Sequence, residues 1–219
     1  MPGMRPLLAA FLLSTTIVRA DLVIVQRVDG GGQAGEQTIR IKGDKARADL
    51  AQQISTITNG ATGEVVTLMH AQKTFLKISA AQTKAMMEQM KKLQPNAEPP
   101  KLTPTGTKEK ISGYDCEIFT ANLGTVMVTY WIARDFPNYR AVLAQMENMR
   151  AGSISAMGKG LMPELKDFTG MQIKTELDMG GQKVTTVLVS VKEENVDPAS
   201  FEIPTDYKEV NAPALNFQK

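Results

Sequence analysis

Few side chains in this 219-residue sequence have both the chemistry and the company to make a reactive centre. There is one histidine, His70, and one cysteine, Cys116. A zinc site usually takes about four ligands, mostly His and Cys. Neither residue therefore has enough partners for a metal, and no cofactor is implied. His70 reads as an ordinary strand-end residue. A Ser-His-Asp triad would have to use it, and no G-x-S-x-G elbow presents a nucleophile. Asp115/Glu117 and Glu193-Glu194 sit in patterns that read as solvated faces, not as a carboxylate pair for glycoside hydrolysis. Gly30-Gly31-Gly32 lacks the Lys-Ser/Thr of a phosphate loop and is not followed by a helix. The sequence thus presents no catalytic constellation, and the expectation is a protein that is not an enzyme.

Cys116 alternates with charged neighbours: Tyr114, Cys116 and Ile118 fall on one face of a strand, Asp115 and Glu117 on the other. That pattern places the thiol in a core as a small apolar residue. A reactive thiol would need an electropositive, exposed site, and nothing local supplies one. The 13 methionines are the unusual feature. Met86, Met87 and Met90 lie in one helical segment, Met146 and Met149 in another. Three readings fit them: a core filled by a flexible side chain, a deformable apolar surface for greasy ligands, or thioether binding of a soft metal. The amphipathic helical placement counts against the last.

The elements that must hold these residues are mostly strands. Period-two alternation marks Leu22–Val28, Thr38–Lys42, Lys45–Leu50, Gln53–Thr58, Val65–His70 and Thr74–Ile78, with turns at Asp29-Gly30-Gly31-Gly32, Gly43-Asp44 and Asn59-Gly60. Connections this short require antiparallel pairing. Ala80–Gln94 then places Met86, Met90 and Leu93 on one helical stripe. Residues 95–107 are Pro-rich and read as an extended connection. Strands resume at Glu109–Thr120 and Val126–Ile132. Pro137 opens a second helix whose apolar face is Tyr139, Val142, Leu143 and Met146. Met171–Met179 alternates throughout, and Gly180-Gly181 turns into the valine-rich Lys183–Lys192, a strand suited to a central position. The tail Asp197–Pro204 carries two apolar anchors, Phe201 and Ile203. Its prolines remove ladder donors, so it should follow an edge or rim. The expectation is an α+β protein: one curved antiparallel sheet of about ten strands with two or three helices on one side.

The first twenty residues follow the layout of a secretory signal peptide, with Arg5, an apolar run at Leu7–Leu13 and Val18-Arg19-Ala20 before a cut ahead of Asp21. Residues 21–219 are expected to form one domain, periplasmic or extracellular. Arg5 and Arg19 account for the whole formal charge of +2, so the mature chain is balanced. A neutral chain argues against nucleic acid or an anionic membrane surface as the main partner, since both need a basic patch. No later apolar run reaches membrane-spanning length.

The order of several segments resembles a secreted bacterial family of unknown function. They are Ile39–Leu50, Thr62–Ile78, the Gly-Tyr-x-Cys strand within Lys108–Ala121, Val128–Asp135 and Asp197–Val210 with its Phe-x-Ile-Pro. That family is itself similar to the periplasmic lipoprotein carriers and outer-membrane lipoprotein receptors. The resemblance implies a half-open β-barrel with helices on its concave side, which in the carriers holds acyl chains. The function it implies is an exported, non-enzymatic protein with an apolar cavity for a lipid, acyl chain or other hydrophobic ligand, and with a lipid, acyl chain or lipoprotein as partner. Candidate lining residues are Met86, Met90 and Leu93 from the first helix and Val142, Leu143 and Met146 from the second. The alternative is a cell-envelope interaction or structural module with a filled core and no ligand. An open apolar cavity of at least roughly 300 Å³ would separate the two.

Overall fold

The computed structural model describes residues 21–32, 34–93, 100–123, 126–150 and 163–210. The expected leader, residues 1–20, lies outside them. The strands are β1 (Leu22–Gly30), β2 (Gly35–Lys42), β3 (Lys45–Leu50), β4 (Ile54–Asn59), β5 (Glu64–Met69), β6 (Thr74–Ile78), β7 (Thr103–Ile111), β8 (Tyr114–Asn122), β9 (Met127–Ala133), β10 (Met171–Met179), β11 (Gln182–Glu193) and β12 (Lys208–Val210). Helix α1 (Ala80–Leu93) separates β6 from β7, and α2 (Tyr139–Arg150) separates β9 from β10. Short 3-10 turns occupy Leu165–Asp167 and Pro198–Phe201.

All twelve strands form one open, curved sheet in the order β12-β6-β5-β4-β3-β2-β1-β11-β10-β9-β8-β7. Two antiparallel meanders build it. The first runs outward from β1 to β6. The second starts at the opposite edge with β7 and works inward to β11, which pairs with β1 from Leu22↔Glu193 to Gly30↔Val184. The valine-rich strand is therefore central, as its composition requires. The β1 end of this seam needs glycine: Gly30 has φ +104°, and a Cβ there would stand 2.0 Å from the Lys183 carbonyl oxygen.

The structure corrects the strand count from about ten to twelve. The run Glu109–Thr120 is not one strand. Ser112 and Gly113 both have positive φ and turn the chain between β7 and β8, the geometry of a tight hairpin. The Pro-rich connection is correspondingly shorter than 95–107. Residues 94–99 lie outside the described part, and Thr103–Thr107 belong to β7. Pro104 is tolerated because β7 is an edge strand, and its register slips between Pro104 and Lys108. The tail adds β12, which pairs with β6 in parallel, the one exception to antiparallel order.

Alternation gives the sheet two apolar faces with different covers. Leu22, Ile24, Ile41, Val128, Tyr130, Ile132, Ile173 and Leu188 are buried in one core with Val142 and Leu143 of α2. On the other face, Val23, Ile57, Val66 and Leu68 are buried beneath the tail residues Val196 and Phe201, with Phe75, Ile203 and Tyr207 packed alongside. The tail is tied to the start of β1: Glu194 N–H donates to the Asp21 carbonyl at 3.1 Å, and Val196 N–H to the Asp21 carboxylate at 3.0 Å.

Candidate functional site

Two kinds of site stand out, one under the helix and one under the tail. Asn138, with φ +54°, precedes α2, and its carbonyl accepts from Ala141 and Val142 N–H. This start aims Val142 and Leu143 at the sheet, where they are 4% and 8% exposed. Between α2 and the sheet lies a cleft of about 600 Å³. Its apolar wall includes Leu22, Tyr114, Phe136, Val142, Ile173 and Leu188, with Ser112, Asn138, Ser190 and Glu193 supplying polar atoms. The Tyr114 and Phe136 rings are 5.3 Å apart. On the other flank of α2 a second cleft of about 720 Å³ includes Leu143, Leu165 and Phe168.

The six candidate lining residues separate accordingly. Val142 lines the first cleft and Leu143 the second, while Met146 is partly buried against the main core. The side chains of Met86, Met90 and Leu93 lie outside the described part. The backbone of α1 lies against β5, held by the buried Thr83, whose hydroxyl donates to the Gly63 carbonyl at 3.0 Å. Cys116 is fully buried, and burial pushes its thiol up from the ordinary value.

Under the tail the structure assembles a hydrogen-bonded chain that sequence reasoning missed. The β3–β4 register sets Asp49 opposite Ser55. Asp49 accepts from Arg47 Nε at 2.6 Å, from Arg40 and from the Ser55 hydroxyl. Ser55 Oγ lies 2.6 Å from His70 Nε2, and His70 Nδ1 lies 2.6 Å from the Tyr207 hydroxyl. Arg47 also donates to Ser55 Oγ at 3.0 Å and to the Ser200 carbonyl at 2.9 Å. Burial raises the Asp49 carboxyl, but the bonds from Ser55 and Arg47 and the charges of Arg47 and Arg40 outweigh it, so the group stays below its ordinary range.

That ionised carboxylate fixes the direction of the chain. The Ser55 proton goes to Asp49, so the two remaining acceptor positions of Oγ take Arg47 and His70 Nε2–H. His70 Nδ1 in turn shares a hydrogen bond with the Tyr207 hydroxyl. A nucleophilic serine would instead give its proton to the histidine. Ser55 is also 0% exposed. The arrangement fastens the tail to the sheet and does not activate a nucleophile. A polar cleft of about 700 Å³ lies beside it, with Arg40, Arg47, Asp49 and His70 in its wall. The charges of Arg40, Arg47 and Asp49 already meet one another there. Among the described residues no three His, Cys, Asp or Glu side chains are grouped to hold a metal. No described helix is long and apolar enough to cross a membrane.

An open antiparallel sheet with a helix over one face and the tail over the other is the class these features define. The chain belongs to the family described as a domain of unknown function (DUF4412), whose profile matches residues 24–207, from β1 to Tyr207. The motif order in the sequence thus led to a family of unknown function, as found. Among solved structures, an uncharacterised conserved protein from Thermus thermophilus has the same fold, with a TM-score of 0.51 at 9% identity, covering 89% of this chain and 92% of that one. More distant outlines are PNGF-II (TM-score 0.44, 15% identity, 89% of this chain) and lipoprotein LppX of Mycobacterium tuberculosis (TM-score 0.41, 10% identity, 81% and 88% of the two chains). The chain spans only 32% of PNGF-II. No curated protein matches the sequence.

Proposed function

We propose that this is an exported, non-enzymatic binding protein that takes an acyl chain or similar hydrophobic ligand in the cleft between α2 and the sheet. The cleft carries the reading. Its volume of about 600 Å³ falls within the roughly 300–1,000 Å³ of small-molecule sites. Leu22, Tyr114, Phe136, Val142, Ile173 and Leu188 give it an apolar side for a chain, and a comparable polar surface that includes Ser112, Asn138, Ser190 and Glu193 can orient a ligand. The resemblance to lipoprotein carriers points the same way. Export rests on the leader at residues 1–20.

The test uses Val189, which lines this cleft and is 52% exposed. Val189→Trp should fill the mouth without disturbing the core. Displacement of an apolar fluorescent probe by fatty acids and phospholipids is measured on the mature chain. Uptake by the native protein and at least about a tenfold loss in Val189→Trp, or ~1.4 kcal/mol, is the expected result. No uptake of any of these ligands favours the filled-core interaction module. Unchanged uptake in the variant removes this cleft from the function.

A further inference from the structure

The second cleft, on the far flank of α2, differs from the first in charge. Its floor of Leu143, Leu165 and Phe168 is buried. Its rim carries Arg134, Arg140, Lys166 and Glu147. The two ends of this rim are not equivalent. Glu147 stands two helical turns beyond Arg140, about 10 Å along α2 by helix rise. Its charge acts on Lys166, which also pairs with Glu164 at 2.5 Å. Acids and bases meet at that end.

At the other end they do not. Arg134 pairs with Glu117 at 2.5 Å, but Glu117 also faces Lys108 at 3.5 Å, so one carboxylate serves two cations. The exposed Arg140 donates to the Tyr139 hydroxyl at 3.3 Å, and among the described contacts no carboxylate meets it. Cationic charge is therefore in excess at one end of an apolar trough. The first cleft has Glu193 as the charged group in its wall.

We propose that this second cleft binds an anionic amphiphile, with its alkyl chain on Leu143, Leu165 and Phe168 and its anionic head at Arg140, with Arg134 in the same wall. A guanidinium offers several fixed donors to a phosphate or carboxylate, and the floor takes the chain that follows. The volume of about 720 Å³ is in the range of small-molecule sites. This site is separate from the first, so either can fail without the other.

The test is calorimetric titration of the mature chain, below micellar concentrations, with decyl phosphate, decyl maltoside and decyltrimethylammonium. These probes share a chain and differ in the head. Decyl phosphate should bind about tenfold or more tightly than the other two, the fold-change of one charge-assisted hydrogen bond. The preference should shrink as salt screens the rim. Arg140→Ala should remove it, Arg140→Lys should retain only the part that comes from charge, and Val189→Trp should leave it intact. Arg140 is exposed, so a matching thermal midpoint confirms that its variants fold. Equal affinity for the three heads would overturn the proposal. So would a phosphate preference that survives both Arg140→Ala and Arg134→Ala.

Discussion

The two faces of the sheet solve the same problem in different ways. Both present apolar side chains that need a cover. Helix α2 covers one face and leaves clefts of about 600 and 720 Å³ on its flanks. The tail covers the other face and draws a polar chain through it, from Asp49 through Ser55 and His70 to Tyr207. A rigid cylinder laid on a curved surface leaves gaps along its sides. An extended segment follows the curvature more closely, and the cleft of about 700 Å³ left beside it is polar, with Arg40, Arg47 and Asp49 already paired in its wall. Clefts with apolar floors flank the helix, and fastening belongs with the tail.

Matched truncations test that division. Leu68 is 0% exposed in the tail-covered core, and Leu188 is 5% exposed where it lines the first cleft. Leu68→Ala should cost about 3–5 kcal/mol, and Leu188→Ala nearer 2, because existing space beside Leu188 reduces the new cavity. Urea unfolding of both variants measures the difference, and equal losses would break the contrast.

The polar chain should show the next largest effect. Ser55→Ala leaves Asp49, Arg47 and His70 short of a shared partner and should cost about 1–3 kcal/mol. Tyr207→Phe removes one hydroxyl at the end of the chain and should cost about 0.5–1.5 kcal/mol. Limited proteolysis should cut the tail first in both. Tyr207→Phe proving more damaging than Ser55→Ala would reverse the order of fastening.

The smallest effect is a pH dependence. The Asp49 carboxyl is held below its ordinary value of 3.8 in the folded chain. Its contribution is therefore complete above that value and is lost as pH falls through the lower, folded pKa. Urea midpoints of Asp49→Asn should be lower at neutral pH and should decline less steeply below pH 3.8. A decline parallel to that of the native protein would take Asp49 out of the acid response.

Much of the sheet was legible because alternation is local. Met171–Met179 reads as a strand in the sequence and is β10 in the structure. The burial of Cys116 follows from its two neighbours on the same face. The hairpin at Ser112-Gly113 reads through as one strand in the sequence, although Ser-Gly is a turn dipeptide, because the alternation on either side of it looks continuous. The polar chain was not legible at all. His70 and Tyr207 are 137 positions apart, and nothing near either names the other. The alternation of Arg47 and Asp49 with Ala46 and Ala48 gives a polar face, but not that the tail returns to cover it. Val142 and Leu143 were readable as an apolar stripe. That adjacent residues line clefts on opposite flanks of α2 depends on the sheet beneath.

The seam between β1 and β11 joins residues 22–30 to residues 184–193. The middle of the sheet is therefore completed by nearly the first and nearly the last strand to be synthesised. Contacts this distant in sequence slow folding, because loop closure must come before the pairing that rewards it. Until β11 emerges, β1 has only β2 beside it and the helix-covered core lacks its central strand. Synthesis therefore reaches β11 before the two meanders can close into one sheet, and the pairing of β1 with β11 is the step that joins them.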